Sequence, residues 1–283
     1  MIEGRRSATA ERVAMRRAAH QLYDRPLVFE DPLALRILSD EAAAEVRDTS
    51  RPEITNAWAV GLRAFVAARS RFAEEELARA FAAGMRQYVV LGAGLDTFAC
   101  RNPFAGLAVF EVDFPDTQAW KRARLRHAAI PIPDSLRFAP VDFERHSLAD
   151  GLDEAGFHRD QPAFFSWLGV VPYLTREAAF ATLRYIAGLP RGSGVVFDYP
   201  IPPESMGDRE RAVFMEMAAR TARAGEPFRL SFEPPRLESE LRALGFCSIE
   251  DLDYAAIRAR WFGADAEQLR PHGRAGHLLC AWL

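Results

Sequence analysis

The apolar positions of this chain follow one period up to about residue 85 and another beyond it. Between Glu53 and Phe81, Ile54, Ala57, Trp58, Gly61, Leu62, Phe65 and Val66 recur at intervals of three and four, the spacing of one helix face. Arg51-Pro52-Glu53 supplies a start with proline in the first turn, and Ala83-Gly84 a stop. The whole N-terminal stretch reads as helical, rich in Ala, Arg and Glu and broken at Pro26 and at Asp31-Pro32. Short β-branched and aromatic runs then take over, at Gln87–Gly92, Leu107–Val112, Leu136–Val141, Pro162–Trp167 and Val195–Tyr199. Helical stretches alternate with them at Asp116–His127, Arg176–Ala187 and Met206–Arg223. Strands alternating with helices predict βαβ units and a parallel sheet covered on both faces. Near the end, a helix at Leu237–Leu244 closed by Gly245 precedes strands at Phe246–Leu252 and His277–Trp282, with a loop-rich stretch between them. Two strands so close in sequence suit an antiparallel pair on one edge of the sheet.

With 49% hydrophobic and 27% charged residues, the chain can bury a full core, which excludes intrinsic disorder. Its 283 residues give a length prior of about two domains, but an α/β unit with an elaborated cap also reaches this size. The expected organisation is one domain over 1–283: a helical cap segment at 1–85, a cofactor-binding half at 86–200, and substrate-side loops with an antiparallel edge at 201–283. Lys and Arg number 36 against 39 Asp and Glu, a net charge of −3 that argues against a general nucleic-acid surface. No apolar run reaches the ~18 residues of a membrane span, and the N-terminal residues lack a signal-peptide apolar segment. The expectation is a cytoplasmic protein with no membrane and no nucleic-acid partner, its oligomeric state left open. Cys100, Cys247 and Cys280 share no metal-ligand spacing, and no HExxH or CxxC motif is present, so no metal is expected.

Candidate chemistry gathers at the strand ends. The first strand runs into Gly92-Ala93-Gly94-Leu95-Asp96-Thr97, where glycines two apart let the backbone turn tightly and approach a ligand. Strand-to-helix turns also use glycine for structure alone, and the third small residue of a dinucleotide fingerprint is replaced by Thr97. The second strand ends at Asp113, placed to accept both hydroxyl hydrogens of a ribose. The third ends at Asp142-Phe143, a carboxylate and an aromatic suited to an adenine's amine and face. Glycine, ribose-type acid and adenine-type acid on successive strands form a nucleoside site with no phosphate cradle, which points to S-adenosylmethionine. The carboxylate of its methionine tail needs a cation, and Arg69 or Arg71 could supply a fork.

QYVVLGAGLDTFACR, VFEVDFP followed by TQAWKRARL, FAPVDFE and SWLGVVPYLT resemble the leucine carboxyl methyltransferase family, in its bacterial branch of S-adenosylmethionine-dependent O-methyltransferases. TAERVAMRRAAHQLYDRPLVFEDPLA and AARSRF extend the likeness, which covers Ser7 to Gly245. The resemblance implies a class I methyltransferase fold, Rossmann-like α/β, with a mixed seven-stranded sheet whose last strand is antiparallel, helices on both faces and a helical N-terminal cap. It assigns Gly92 and Gly94 to the cofactor's methionine part, Asp113 to the ribose, and Asp142 with Phe143 to the adenine. Arg69 takes the carboxylate in preference to Arg71; Arg17 falls near a second cationic position of the cap but is read in preference as a surface arginine. The family often carries a glutamate where this chain has Leu168, so one carboxylate contact to the cofactor is lost or supplied elsewhere.

Methyl transfer is an in-line displacement in which alignment and exclusion of water do much of the work. A carboxylate acceptor is ionised at neutral pH and needs no general base, whereas a hydroxyl benefits from one. Tyr173, which matches a family tyrosine near the transferred methyl, and Tyr199, at the end of the fifth strand, are the candidate catalytic residues. Trp58, Phe65, Trp167 and Phe228 are candidates for an apolar acceptor pocket, with the irregular stretch from Ile201 to Pro235 above it. The expected activity is O-methylation of a carboxylate or hydroxyl of a small-molecule acceptor. The alternatives are methylation of a protein C-terminal carboxylate, a cofactor-binding member without catalysis, and a nicotinamide-dependent oxidoreductase, which Thr97 disfavours.

Overall fold

A computed structural model describes residues 8–141, 147–223, 225–263 and 276–283. Among the described residues, four helices precede the sheet: α1 (Ala8–Tyr23), α2 (Asp40–Arg47), α3 (Pro52–Thr55) and α4 (Ala57–Ala82). The long helix expected from Glu53 is divided at Asn56, which leaves helical geometry and accepts the Ala59 N–H on its side chain at 2.7 Å. An N-cap of this kind satisfies an otherwise orphaned donor, so the chain restarts there. Seven strands follow: β1 (Gln87–Leu91), β2 (Ala108–Asp113), β3 (Leu136–Pro140), β4 (Phe164–Trp167), β5 (Gly194–Pro200), β6 (Ser248–Leu252) and β7 (Gly276–Trp282). The intervening helices are α5 (Phe98–Arg101), α6 (Pro115–His127), α7 (Leu148–Glu154), α8 (Arg176–Ala187), α9 (Asp208–Arg223), α10 (Pro234–Leu244) and α11 (Tyr254–Trp261). The stretch expected as loop between the last two strands thus contains α11, which Asp253 caps by accepting the Ala256 N–H.

The strands lie in the order β3-β2-β1-β4-β5-β7-β6. The first five are parallel, and β7 runs antiparallel between β5 and β6. This is the mixed seven-stranded sheet of the class I methyltransferase fold. Alternation along β1 explains both layers. Tyr88 and Val90 join Ala64, Ala68 and Phe72 of α4, while Val89 and Leu91 join Leu183 of α8 and Leu241 of α10. One helix of the N-terminal segment therefore forms part of the sheet's own covering layer. A third apolar cluster ties Ala14 and Ala18 of α1 and Ile37 to Leu95 and to Leu125 of α6. Because β2 and β3 lie to one side of β1 and β4 to the other, the crevice for ligands opens at the carboxyl ends of β1 and β4.

Candidate active site

The turn after β1 has the backbone its glycines permit. Gly92 and Gly94 have φ of +68° and +47°. A Cβ on Gly92 would collide with Val170, and one on Gly94 would lie 3.0 Å from the Ala10 side chain. Asp113, at the end of β2, closes the turn by accepting the Gly94 N–H at 2.6 Å and the Phe114 N–H at 2.7 Å. Burial pushes its carboxyl up, and the two backbone donors pull it back. Each oxygen keeps acceptor capacity at the strand ends, as a pair of ribose hydroxyls requires. Asp142 and Phe143 lie outside the described residues.

Arg17 proves to be neither a surface residue nor a lining residue of the cavity described below. It is 5% exposed, pairs with Asp31 at 2.7 Å and donates to the Leu95 carbonyl at 2.5 Å, which braces the glycine turn from the cap side. On the same side of α1, His20 Nε2 accepts the Phe29 N–H, so its Nδ1 donates to Asp24 at 2.8 Å. Arg63 grips Asp24 with a fork at 2.8 and 2.6 Å.

Arg69 reaches the sheet from α4. Its Nη1 pairs with Asp198 Oδ2 of β5 at 2.9 Å, and both side chains are buried. The guanidinium lies against Gly169, where a Cβ would sit 2.8 and 2.9 Å from its two terminal nitrogens. The Gly169 N–H donates in turn to Asp198 Oδ1. Arg71 points elsewhere, exposed and paired with Glu75. Leu168 is partly buried and packs with the apolar core beneath β4.

Arg69, Gly169, Tyr173, Asp198 and Tyr199 line one cavity of about 1340 Å³. Tyr173 stands in a 3₁₀ turn after β4, edge-on to Phe228 at 5.2 Å, with burial pushing its phenol up to about 12 against a hydrogen bond with Thr9. Tyr199 donates to Asp251 of β6, whose other oxygen pairs with His277 of β7 at 3.0 Å. Burial first, and then the Asp251 charge, push the Tyr199 phenol up, so it stays neutral with its proton committed to that acid. Of the proposed apolar lining, Trp58, Phe65 and Phe228 face the cavity, but Trp167 is buried in the sheet core instead. From the irregular stretch, α9 contributes Val213, Phe214 and Met217 to the wall. Gly92, Gly94 and Asp113 sit on the neighbouring strand ends and are not among the lining residues.

Two residues of the cavity went unread in the sequence. Arg16 lines it beside Tyr173 and, among the described residues, has neither an ion pair nor a hydrogen bond. Burial, then the Arg69 charge, push its guanidinium down to about 10. The readable signal was helical phase: Arg12, Arg16 and Ala19 share the cavity face of α1, while Arg17 and His20 share the buried one. Asp198 was also visible, as a lone acid within the apolar run VVFDYP.

A sequence profile of the leucine carboxyl methyltransferase family matches residues 10–187. The chain is 32% identical to YktD of Bacillus subtilis, named as an S-adenosyl-L-methionine-dependent methyltransferase, over 95% of each chain. A Mycobacterium tuberculosis protein of the same designation is 33% identical over 94% of this chain and 82% of its own. Among solved structures, a protein from Thermobifida fusca described as a methyltransferase superposes with a TM-score of 0.58 at 17% identity, covering 95% and 93% of the two chains. A protein of the DUF574 family from Streptomyces avermitilis gives 0.54 at 18%, covering 88% and 96%. At these identities the structures speak for the fold.

Proposed function

Because the chain belongs to the leucine carboxyl methyltransferase family and is an S-adenosylmethionine-dependent methyltransferase, we propose that it methylates an oxygen of a small molecule, and that this oxygen belongs to a carboxylate rather than a hydroxyl. The observation that carries this reading is Arg16, a cation with no ion pair among the described residues, set in a cavity whose lining joins Met15, Trp58, Leu62, Phe65, Phe214 and Met217 to charged residues that include Glu11, Asp198 and Glu210. A cation in such surroundings is costly alone and favourable with a desolvated anion. The tyrosines support the same reading. With Tyr173 raised to about 12 and Tyr199 bound to Asp251, neither supplies a base to a hydroxyl near neutral pH, whereas a carboxylate is already ionised.

The cofactor supplies a methyl group activated by a sulfonium. Asp113 would hold its ribose, the glycine turn its methionine part, and Arg69 its carboxylate. Arg16 then draws in the acceptor anion, Tyr173 orients it, and the apolar walls hold its body and exclude water. The cavity is large enough for an acceptor with a bulky apolar frame.

The test is methyl transfer to a panel of hydrophobic carboxylic acids, phenols and short peptides, with product identified by the alkali lability of a methyl ester. Esters of the free acids are expected, and Arg16→Ala should raise their KM by about 10- to 150-fold, equivalent to the ~1.5–3 kcal/mol of a charge-assisted hydrogen bond. Methylation of phenols alone would refute the carboxylate reading. A clear preference for peptide C-termini would favour a protein acceptor.

A further inference from the structure

The Arg69–Asp198 pair is an unusual object to find on a cavity wall. A buried ion pair gives up hydration on both sides, and a fold that needed only packing there would do as well with apolar side chains. This pair instead has unused bonding capacity. A carboxylate offers about four acceptor sites, and Asp198 uses one on Arg69 and one on the Gly169 N–H. A guanidinium carries five donors, and Arg69 spends one on Asp198. A cation with donors to spare and an anion with acceptors to spare thus stand side by side, 2.9 Å apart, on the cavity wall.

The sheet fixes that arrangement. Trp167 of β4 is in register with Phe197 of β5, so the next residues, Leu168 and Asp198, stand at the same level of adjacent parallel strands. Leu168 turns to the apolar core, and Asp198 carries the acid at that level. Gly169 keeps the site open, since any Cβ there would push the guanidinium aside. The complementary ligand is a zwitterion with its two charges a few bonds apart, which is the α-amino acid group at the methionine end of the cofactor. We propose that Asp198 accepts the cofactor's α-ammonium, so that Arg69 and Asp198 together form a receptor for its zwitterionic end. This rests on S-adenosylmethionine as the cofactor but not on the nature of the acceptor.

Equilibrium binding, with no turnover, tests it. Three ligands are titrated calorimetrically into wild type and Asp198→Asn: S-adenosylhomocysteine, its des-amino analogue, and 5′-methylthioadenosine, which lacks the whole amino acid group. Wild type should prefer S-adenosylhomocysteine to the des-amino ligand by at least about tenfold, as one charge-assisted hydrogen bond allows. In Asp198→Asn that preference should collapse to within about threefold, while methylthioadenosine affinity stays at the wild-type value. Retention of the preference overturns the assignment. An equal loss for methylthioadenosine also overturns it, because Asp198 would then act through the fold. Since each comparison is made within one protein, a partly destabilised variant still reports. Failure of wild type to bind any of the three would instead remove the cofactor.

Discussion

Replacing Gly169 by alanine separates the backbone from the site, and its size follows from the geometry. Gly169 has φ +71°, a conformation that costs an L-residue about 1–2 kcal/mol. Gly156, in the turn after α7, has φ +83° with nothing within 4 Å of an added Cβ, so Gly156→Ala should incur that backbone cost alone. At Gly169 the new methyl would lie 2.8 and 2.9 Å from the Arg69 nitrogens. The guanidinium can move, at the expense of its pair with Asp198, and weakening a buried pair costs a further ~2–3 kcal/mol, below the ~3–5 of removing one partner. Urea unfolding should therefore place Gly169→Ala about 3–5 kcal/mol below wild type and Gly156→Ala about 1–2 below it. Affinity for S-adenosylhomocysteine should fall by about 1.5–3 kcal/mol in Gly169→Ala and stay unchanged in Gly156→Ala. If the two variants prove equally stable and equally tight, Arg69 does not rest on Gly169 in solution and the described site is wrong.

Two further outcomes follow from buried acids. Asp113→Ala should lower S-adenosylhomocysteine affinity by about 1–3 kcal/mol in a calorimetric titration, since the acid holds the glycine turn and is the proposed ribose contact; unchanged affinity would remove it from the site. Burial alone would raise the Asp24 carboxyl, but the Arg63 fork and His20 outweigh it and hold it below the ordinary value. An acid depressed in the folded state contributes stability that is complete above the unfolded pKa of about 4 and is lost as pH falls through the lower folded value. Arg63→Met should therefore cost about 3–5 kcal/mol at pH 7 and flatten the fall of the urea midpoint below pH 4; an unaltered pH slope would show that the pair does not govern it.

What the sequence determined by itself was periodic or local. The apolar runs between residues 87 and 199 became β1 to β5, each displaced by no more than a residue or two; β1, β2, β4 and β5, flanked by strands on either side, need nearly continuous apolar residues, while the edge strand β3 keeps Arg137 exposed. The glycine turn and Asp113 were readable for a similar reason. A backbone that must enter the left-handed region names its residue, and the acid at the next strand end is the one that closes that turn. The N-terminal boundary of α4 was missed because the side chain of Asn56 competes locally with the helix that the apolar spacing continued through. Tertiary structure alone decided which charges meet. Neighbours on α1, Arg16 and Arg17, look alike in sequence, yet about 100° of helix rotation sends one into the cavity and the other onto Asp31 and the glycine turn. Arg69 and Asp198 are 129 residues apart, and nothing local to either specifies the other. They meet because α4 packs across the sheet and β4–β5 register brings Asp198 level with Gly169's strand end. Local chemistry and spacing fix elements and turns, while the pairing of distant charges waits on the packing that brings them together.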